Sequence, residues 1–95
     1  GHDVTGTWGA SDRLLGSAVV TVSRASDGGY QVRGVHIGGT PPAEVKRGDD
    51  GLVVTGGSGG SAWTLTLTFA NSDQLKATVT FADGRPGRAT VLTRR

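Results

Sequence analysis

The chain of 95 residues has no cysteine, three prolines, and only two Trp, one Tyr and two Phe. Without cysteine there is neither a disulfide framework nor a zinc–thiolate site, so the fold must stand on packing and sheet hydrogen bonds. So few aromatics cannot both fill a core and build the exposed, aromatic-and-basic surface that grips single-stranded nucleic acid. Only Tyr30 near Arg33 fits that pattern, and no nucleic-acid partner is expected. No apolar run approaches the ~20 residues that a membrane-spanning helix needs. The net charge of +2 is small and its basic residues are scattered, so nothing demands an anionic macromolecule. No signal peptide is visible. The opening Gly1-His2-Asp3 reads as a tag remnant or tail, and a leader removed from a secreted or cell-envelope protein is the expectation for localisation.

What is abundant is glycine and threonine, 17 and 12 residues. Threonine is β-branched and suits an exposed strand face, and glycine suits turns and bulges. Arginine outnumbers lysine eight to two, which fits a GC-rich genome, and a bacterial source is the expectation. Turn signals recur at short intervals: Asp27-Gly28-Gly29, Gly38 to Pro42, Gly48 to Gly51, Gly56 to Gly60, Asn71-Ser72-Asp73 and Asp83 to Gly87. Clusters of Asp, Asn and Gly supply the positive φ that tight hairpins use. The segments between them predict about eight strands: Val4–Trp8, Ala18–Ser23, Tyr30–Ile37, Ala43–Arg47, Leu52–Thr55, Trp63–Phe69, Leu75–Phe81 and Arg88–Arg94. The clearest are Trp63-Leu65-Leu67-Phe69 and Leu75-Ala77-Val79-Phe81, apolar on one face and largely threonine on the other. Tyr30–Ile37 changes phase near Gly34, which predicts a bulge. Ala43–Arg47 follows two prolines and suits an edge. Ala10–Gly16 reads as a loop or a helical turn capped by Ser11 or Asp12.

This spacing defines one all-β domain over 1–95, an antiparallel up-and-down meander closed or nearly closed into a barrel, with a β-sandwich as the alternative. The expected core is Val4, Trp8, Val20, Val22, Tyr30, Val32, Val45, Leu52, Val54, Trp63, Leu65, Leu67, Phe69, Leu75, Ala77, Val79, Phe81 and Val91. Residues 56–61, Gly-Gly-Ser-Gly-Gly-Ser, have the composition of a flexible linker and read as a mobile hairpin loop, with an engineered insertion as the alternative. They are not a phosphate loop, because no Gly-Lys-Ser/Thr follows.

Chemistry-bearing residues are sparse. His36 has no partner that the sequence places beside it, and no His or carboxylate spacing defines a metal site. Asp27, Asp49, Asp50, Asp73 and Asp83 sit in turns, where bonding to nearby backbone accounts for each. The serines lack the strand–turn–helix context of a nucleophile elbow. No enzymatic activity and no cofactor are expected. Trp63 is a core residue or a flat surface for ligand stacking, and Trp63, Tyr30 and His36 are the candidate ligand-binding residues. The threonine face of the two clearest strands is a solvated outer surface.

Gly6-Thr7-Trp8 on the first strand, a meander of hairpins, and an arginine on the last strand resemble the calycin superfamily: lipocalins, fatty-acid-binding proteins, avidins and small bacterial protease inhibitors. In such barrels the tryptophan closes one end and the arginine packs across its face. The resemblance therefore implies that Trp8 meets Arg94, with Arg88 as the alternative. Thr5-Gly6-Thr7-Trp8, Leu15-Gly16-Ser17 and Asp27-Gly28 are similar to the start of an avidin, with a fainter match at Ala62-Trp63-Thr64, but the aromatic and polar set around biotin is missing. Ser17 and Trp63 alone find counterparts, and biotin binding does not carry over. The resemblance implies a non-enzymatic binding barrel for a small apolar ligand. The alternatives are a secreted protein-binding or protease-inhibitor barrel, which would use Gly1-His2-Asp3 as its plug and here lacks that family's disulfide, and a structural or designed domain without ligand. The chain is expected to be a monomer or a weak dimer. Bulky inward side chains between Trp63 and Phe81 argue against a roomy pocket.

Overall fold

A computed structural model describes residues 2–95. Eight strands form one antiparallel sheet: β1 (Gly6–Ala10), β2 (Val19–Arg24), β3 (Tyr30–Arg33), β4 (Pro42–Gly48), β5 (Gly51–Gly56), β6 (Trp63–Asn71), β7 (Gln74–Phe81) and β8 (Arg88–Arg94). Their order is β3-β2-β1-β8-β7-β6-β5-β4, so the first and last strands pair and the sheet curls into a nearly closed barrel. One continuous sheet rules out the sandwich. Among the described residues the sheet is left open between β3 and β4, neighbours in sequence. Among the described residues, no helix is long and apolar enough to cross a membrane.

Period-two alternation drives this closure. Val54, Leu65 and Val79 lie in one cross-strand rank, and Leu52, Leu67, Ala77 and Thr90 in the next. All are buried, and Val54 and Leu65 are wholly inaccessible. Each fully buried Leu or Val contributes about 1.5–3 kcal/mol by leaving water. Outward positions on β6 and β7 pair threonine with threonine, Thr64 with Thr80 and Thr66 with Thr78.

The seam between β3 and β4 is managed locally. β3 ends at Arg33, where Gly34 takes φ of 88° and passes so close to Val19 that any Cβ would run into its carbonyl. This is the predicted break of phase. Beyond it Val35 and Ile37 turn inward and His36 outward. Ile37 and Thr40 then exchange backbone hydrogen bonds of 3.0 and 3.2 Å around Gly38-Gly39. β4 begins on Pro42, as an edge strand permits.

Several expectations shift. β1 runs from Gly6 to Ala10, not from Val4 to Trp8, although Val4 is buried as expected. Of the two readings of the segment after β1, the loop holds: residues 11–17 form turns and bends, and Asp12 Oδ1 accepts the Leu14 N–H at 3.0 Å. The Asn71–Gln74 hairpin does without positive φ: Asn71 Oδ1 accepts the Asp73 N–H at 2.9 Å, and a bulge between Phe69 and Asn71 absorbs the extra residue. Val91 is 49 % exposed, and Leu92 takes the core position. Leu15, Val35 and Ile37 also join the core, whereas Tyr30, Val45, Phe69 and Phe81 only pack against it.

The glycine-rich segment 56–61 is in part structural. Gly56 belongs to β5, pairs with both Pro42 and Trp63, and leaves the room that the Trp63 ring occupies. Gly59–Ser61 forms a single 3-10 turn. Of the expected tail, Gly1 lies outside the described residues. His2 stacks on Phe69 with ring centroids 4.9 Å apart, and the Asp3 carbonyl accepts Arg94 at 2.7 Å.

Candidate binding site

The inward face of β8 reads Arg88, Thr90, Leu92, Arg94, and its two ends have different fates. At one end Trp8 is wholly buried, and its Nε1 donates to the Val4 carbonyl at 2.9 Å. Arg94 lies over the Trp8 ring, 4.2 Å from its centroid, as expected. Its guanidinium also donates to the carbonyls of Asp3, Thr5 and Ser72 at 2.7, 2.9 and 3.0 Å. One side chain thus ties the last strand to the N-terminal segment and to the β6–β7 turn. Phe69 meets the Trp8 ring edge-on at 6.1 Å, and His2 covers Phe69. This end is closed.

The opposite end is open. A cleft of about 400 Å³ has Leu14, Ile37, Val79 and Phe81 on its apolar side and Arg85 and Arg88 at its rim. It adjoins a second depression that shares Leu14 and Arg88 and adds Arg13 and Asp12. A third shares Ile37 and Phe81 and reaches Ser58 and Ser61. The cleft does not continue into the barrel, because the core beneath it is filled: Leu65, Val54 and Leu15 are wholly buried members of one hydrophobic cluster. Arg85 stands 4.0 Å from the centroid of the Phe81 ring, and its Nε is 2.6 Å from Asp83 Oδ2.

The candidates named from sequence do not converge. Trp63 lies at the open end, paired with Phe81, but its ring is 2 % exposed and its Nε1 donates to Thr40 Oγ1 at 2.8 Å. It latches the connection across the seam and forms part of the wall. Tyr30 lies toward the closed end, half-buried, with Arg24 at 4.7 Å and Arg47 at 6.0 Å from its ring. It borders a separate hollow of about 240 Å³ with His2, Arg47, Asp49, Asp50 and Phe69. His36 is exposed on the outer face, and its backbone N–H donates to the Leu15 carbonyl at 2.8 Å. Leu14, Phe81, Arg85 and Arg88 were legible only as loop or strand residues. The signal that could have found them is parity: if Arg94 faces inward, Arg88 does too, at the other mouth.

Among the described residues, no three of His, Asp, Glu or Cys cluster as metal ligands do. The Asp3 carboxyl lies below its ordinary 3.8, first because it accepts the Thr5 backbone N–H, then because it accepts the Thr5 hydroxyl, with Arg24 and Arg94 adding attraction. That favours the charged form without creating an acid or a base for catalysis. Family models, curated proteins and solved structures were compared with the chain, and none matches.

Proposed function

We propose that the chain is a non-enzymatic, calycin-like binding barrel that takes a small, mostly apolar ligand at its open end rather than inside the barrel. The observation that carries this reading is the asymmetry of the two ends. Trp8 under Arg94 plugs one, while the other keeps a cleft of about 400 Å³ with a half-buried aromatic and aliphatic floor. Ligand sites are typically concave and mainly apolar, with a few polar groups at the edge. The packed interior favours this location over a central cavity. The Trp8–Arg94 contact supports the calycin-like reading, since it is the contact that the Gly6-Thr7-Trp8 motif implies.

A protein-binding barrel that uses its N-terminal segment as a plug is less favoured. His2 rests on Phe69 and the Asp3 carbonyl is held by Arg94, so that segment is committed to closing the barrel.

Titration with the neutral fluorophore N-phenyl-1-naphthylamine, followed by its emission and by amide shifts in heteronuclear NMR, tests the proposal. Saturable binding is expected, with shifts at Leu14, Ile37, Gly38 and Phe81. Shifts confined to the Tyr30 hollow, or no binding at millimolar protein, would overturn it.

A further inference from the structure

Arg88 occupies an inward position without an ion-pair partner among the described residues. It pairs in register with Val79, whose other neighbour is Leu65, so its Cα belongs to the rank that fills the barrel. Being the first residue of β8, it stands at the mouth, and its side chain borders both the main cleft and the depression beside Arg13. The ion pairs among the described residues are Lys46–Glu44, Arg85–Asp83 and Arg94–Asp73, and none involves Arg88 or Arg13.

The carboxylates at this end are already committed. Asp12 accepts the Leu14 N–H with one oxygen and the Thr90 hydroxyl, at 3.0 Å, with the other. Asp83 accepts the Arg85 backbone N–H at 3.0 Å and faces its Nε with the second oxygen. Three guanidinium groups thus stand around an apolar floor together with two carboxylates: Arg85 is paired with Asp83, while Arg88 and Arg13 are in no ion pair among the described residues, which leaves one net positive charge at the mouth. Arginine stays charged at any accessible pH and matches carboxylate and phosphate geometry with its planar fork. With low-dielectric side chains on one side, such a group projects its field into the mouth.

We propose that the ligand of the open end is an anionic amphiphile. Its apolar tail lies on Leu14, Ile37 and Phe81, and its carboxylate or other anionic head is held by Arg88 with help from Arg13 and Arg85. This rests on the reading of the cleft as the ligand site and adds the class of ligand. Because the buried rank of Val54, Leu65 and Val79 closes the floor, a tail of medium length fills the cleft.

Three isosteric probes separate the two readings: octanoate, octanol and octylammonium, titrated at low salt and followed by amide shifts of Leu14 and Phe81. Octanoate should bind about fivefold more tightly than octanol, the range of a solvent-accessible ion pair, and octylammonium most weakly. Arg88→Gln should bring octanoate down to the affinity of octanol and leave octanol unchanged, and Arg13→Gln should give part of the same loss. Both side chains are exposed, so both variants should fold. Equal binding of all three probes would leave the apolar site standing and refute the anionic head. Binding of none would refute the site itself. A preference for octanoate that survives Arg88→Gln would place the anion elsewhere and refute the assignment to Arg88.

Discussion

Replacing Arg94 by Met keeps an unbranched apolar stem and deletes the guanidinium, which isolates what that group contributes. Its side chain is 28 % exposed, so each contact is discounted for competing water. Hydrogen bonds from a charged donor contribute about 1.5 kcal/mol each at the lower end of their range. There are three carbonyl acceptors, but all lie near the rim, where water can replace the lost donor. The cation–π contact on Trp8 adds about 1 kcal/mol. The exposed approach to Asp73 at 3.6 Å is too long and too wet to count. A net loss of about 2–3 kcal/mol follows, or about 10–20 °C in Tm for a domain of this size. Urea denaturation read by tryptophan fluorescence should show a lower midpoint with unchanged slope. Arg94→Lys should lose about half as much, since the charge stays over the ring but the fork is gone. Amide protection should fall most for Val4, Thr5 and Asp73. A loss below about 0.5 kcal/mol, within the range of ordinary surface substitutions, would refute the reasoning.

Gly56→Ala should destabilise by about 2 kcal/mol or more, because the new methyl meets the Trp63 ring and the Pro41 carbonyl, and thermal denaturation reads it. Leu92→Ala should lose about 2–4 kcal/mol in urea while Val91→Ala stays within about 0.5 kcal/mol, and the reverse order would show β8 facing the other way. Thr40→Val leaves Trp63 Nε1 without its acceptor and should lose about 1–2 kcal/mol, with a shift in the indole N–H resonance as the second readout. The Asp3 carboxyl should titrate below 3.8 when followed by the Thr5 amide shift. Because its folded value is depressed, its stabilising effect is complete above the unfolded value and is lost as pH falls through the folded one, and a midpoint at or above 3.8 would contradict the Thr5 contacts.

Much of the barrel was legible because alternation over long strands leaves little freedom. From Trp63 to Phe81 a one-residue slip would turn Leu65, Leu67 and Val79 to solvent, so pattern and register agree. Short or interrupted strands were harder to read. In β8 Val91 and Leu92 are adjacent and both apolar, so local pattern cannot choose between them. The choice comes from a distant contact: Arg94 must face Trp8, and period two then carries Leu92 and Thr90 inward. Leu15 lies in a loop, and no periodicity predicts that its side chain will be wholly buried. The site was less legible still. Trp63, Tyr30 and His36 drew notice for their chemistry, yet sheet order sends them to one end, the other end and the outer face. Arg88 and Leu14, which meet at the mouth, are separated by almost the whole chain, and only the pairing of β1 with β8 brings them together.

That pairing also bears on why the proposed site lies at one end rather than in the middle or at the seam. A barrel of eight short strands whose inward positions include two tryptophans and several leucines has little interior left to offer. Its remaining irregularity is the break between β3 and β4, but that edge carries Pro42, Glu44 and Lys46, features that discourage an incoming strand, and Trp63 latches its upper part through Thr40. At the Trp8 end, Arg94 uses its donors on the protein's own carbonyls. At the Phe81 end lie the 11–17 turns and residues 82–87, two connections outside the paired strands, and Phe81 and Leu14 there stay only half-buried. A half-buried apolar floor under an unpaired guanidinium serves stability poorly: filling it from within would bury more carbon, and an acid beside Arg88 would satisfy the charge. On physical grounds, then, Arg88→Leu should raise the melting temperature while abolishing any preference for octanoate over octanol. A variant no more stable than the parent would show that the unpaired guanidinium costs the fold nothing, and one that still preferred octanoate would place the anion away from Arg88.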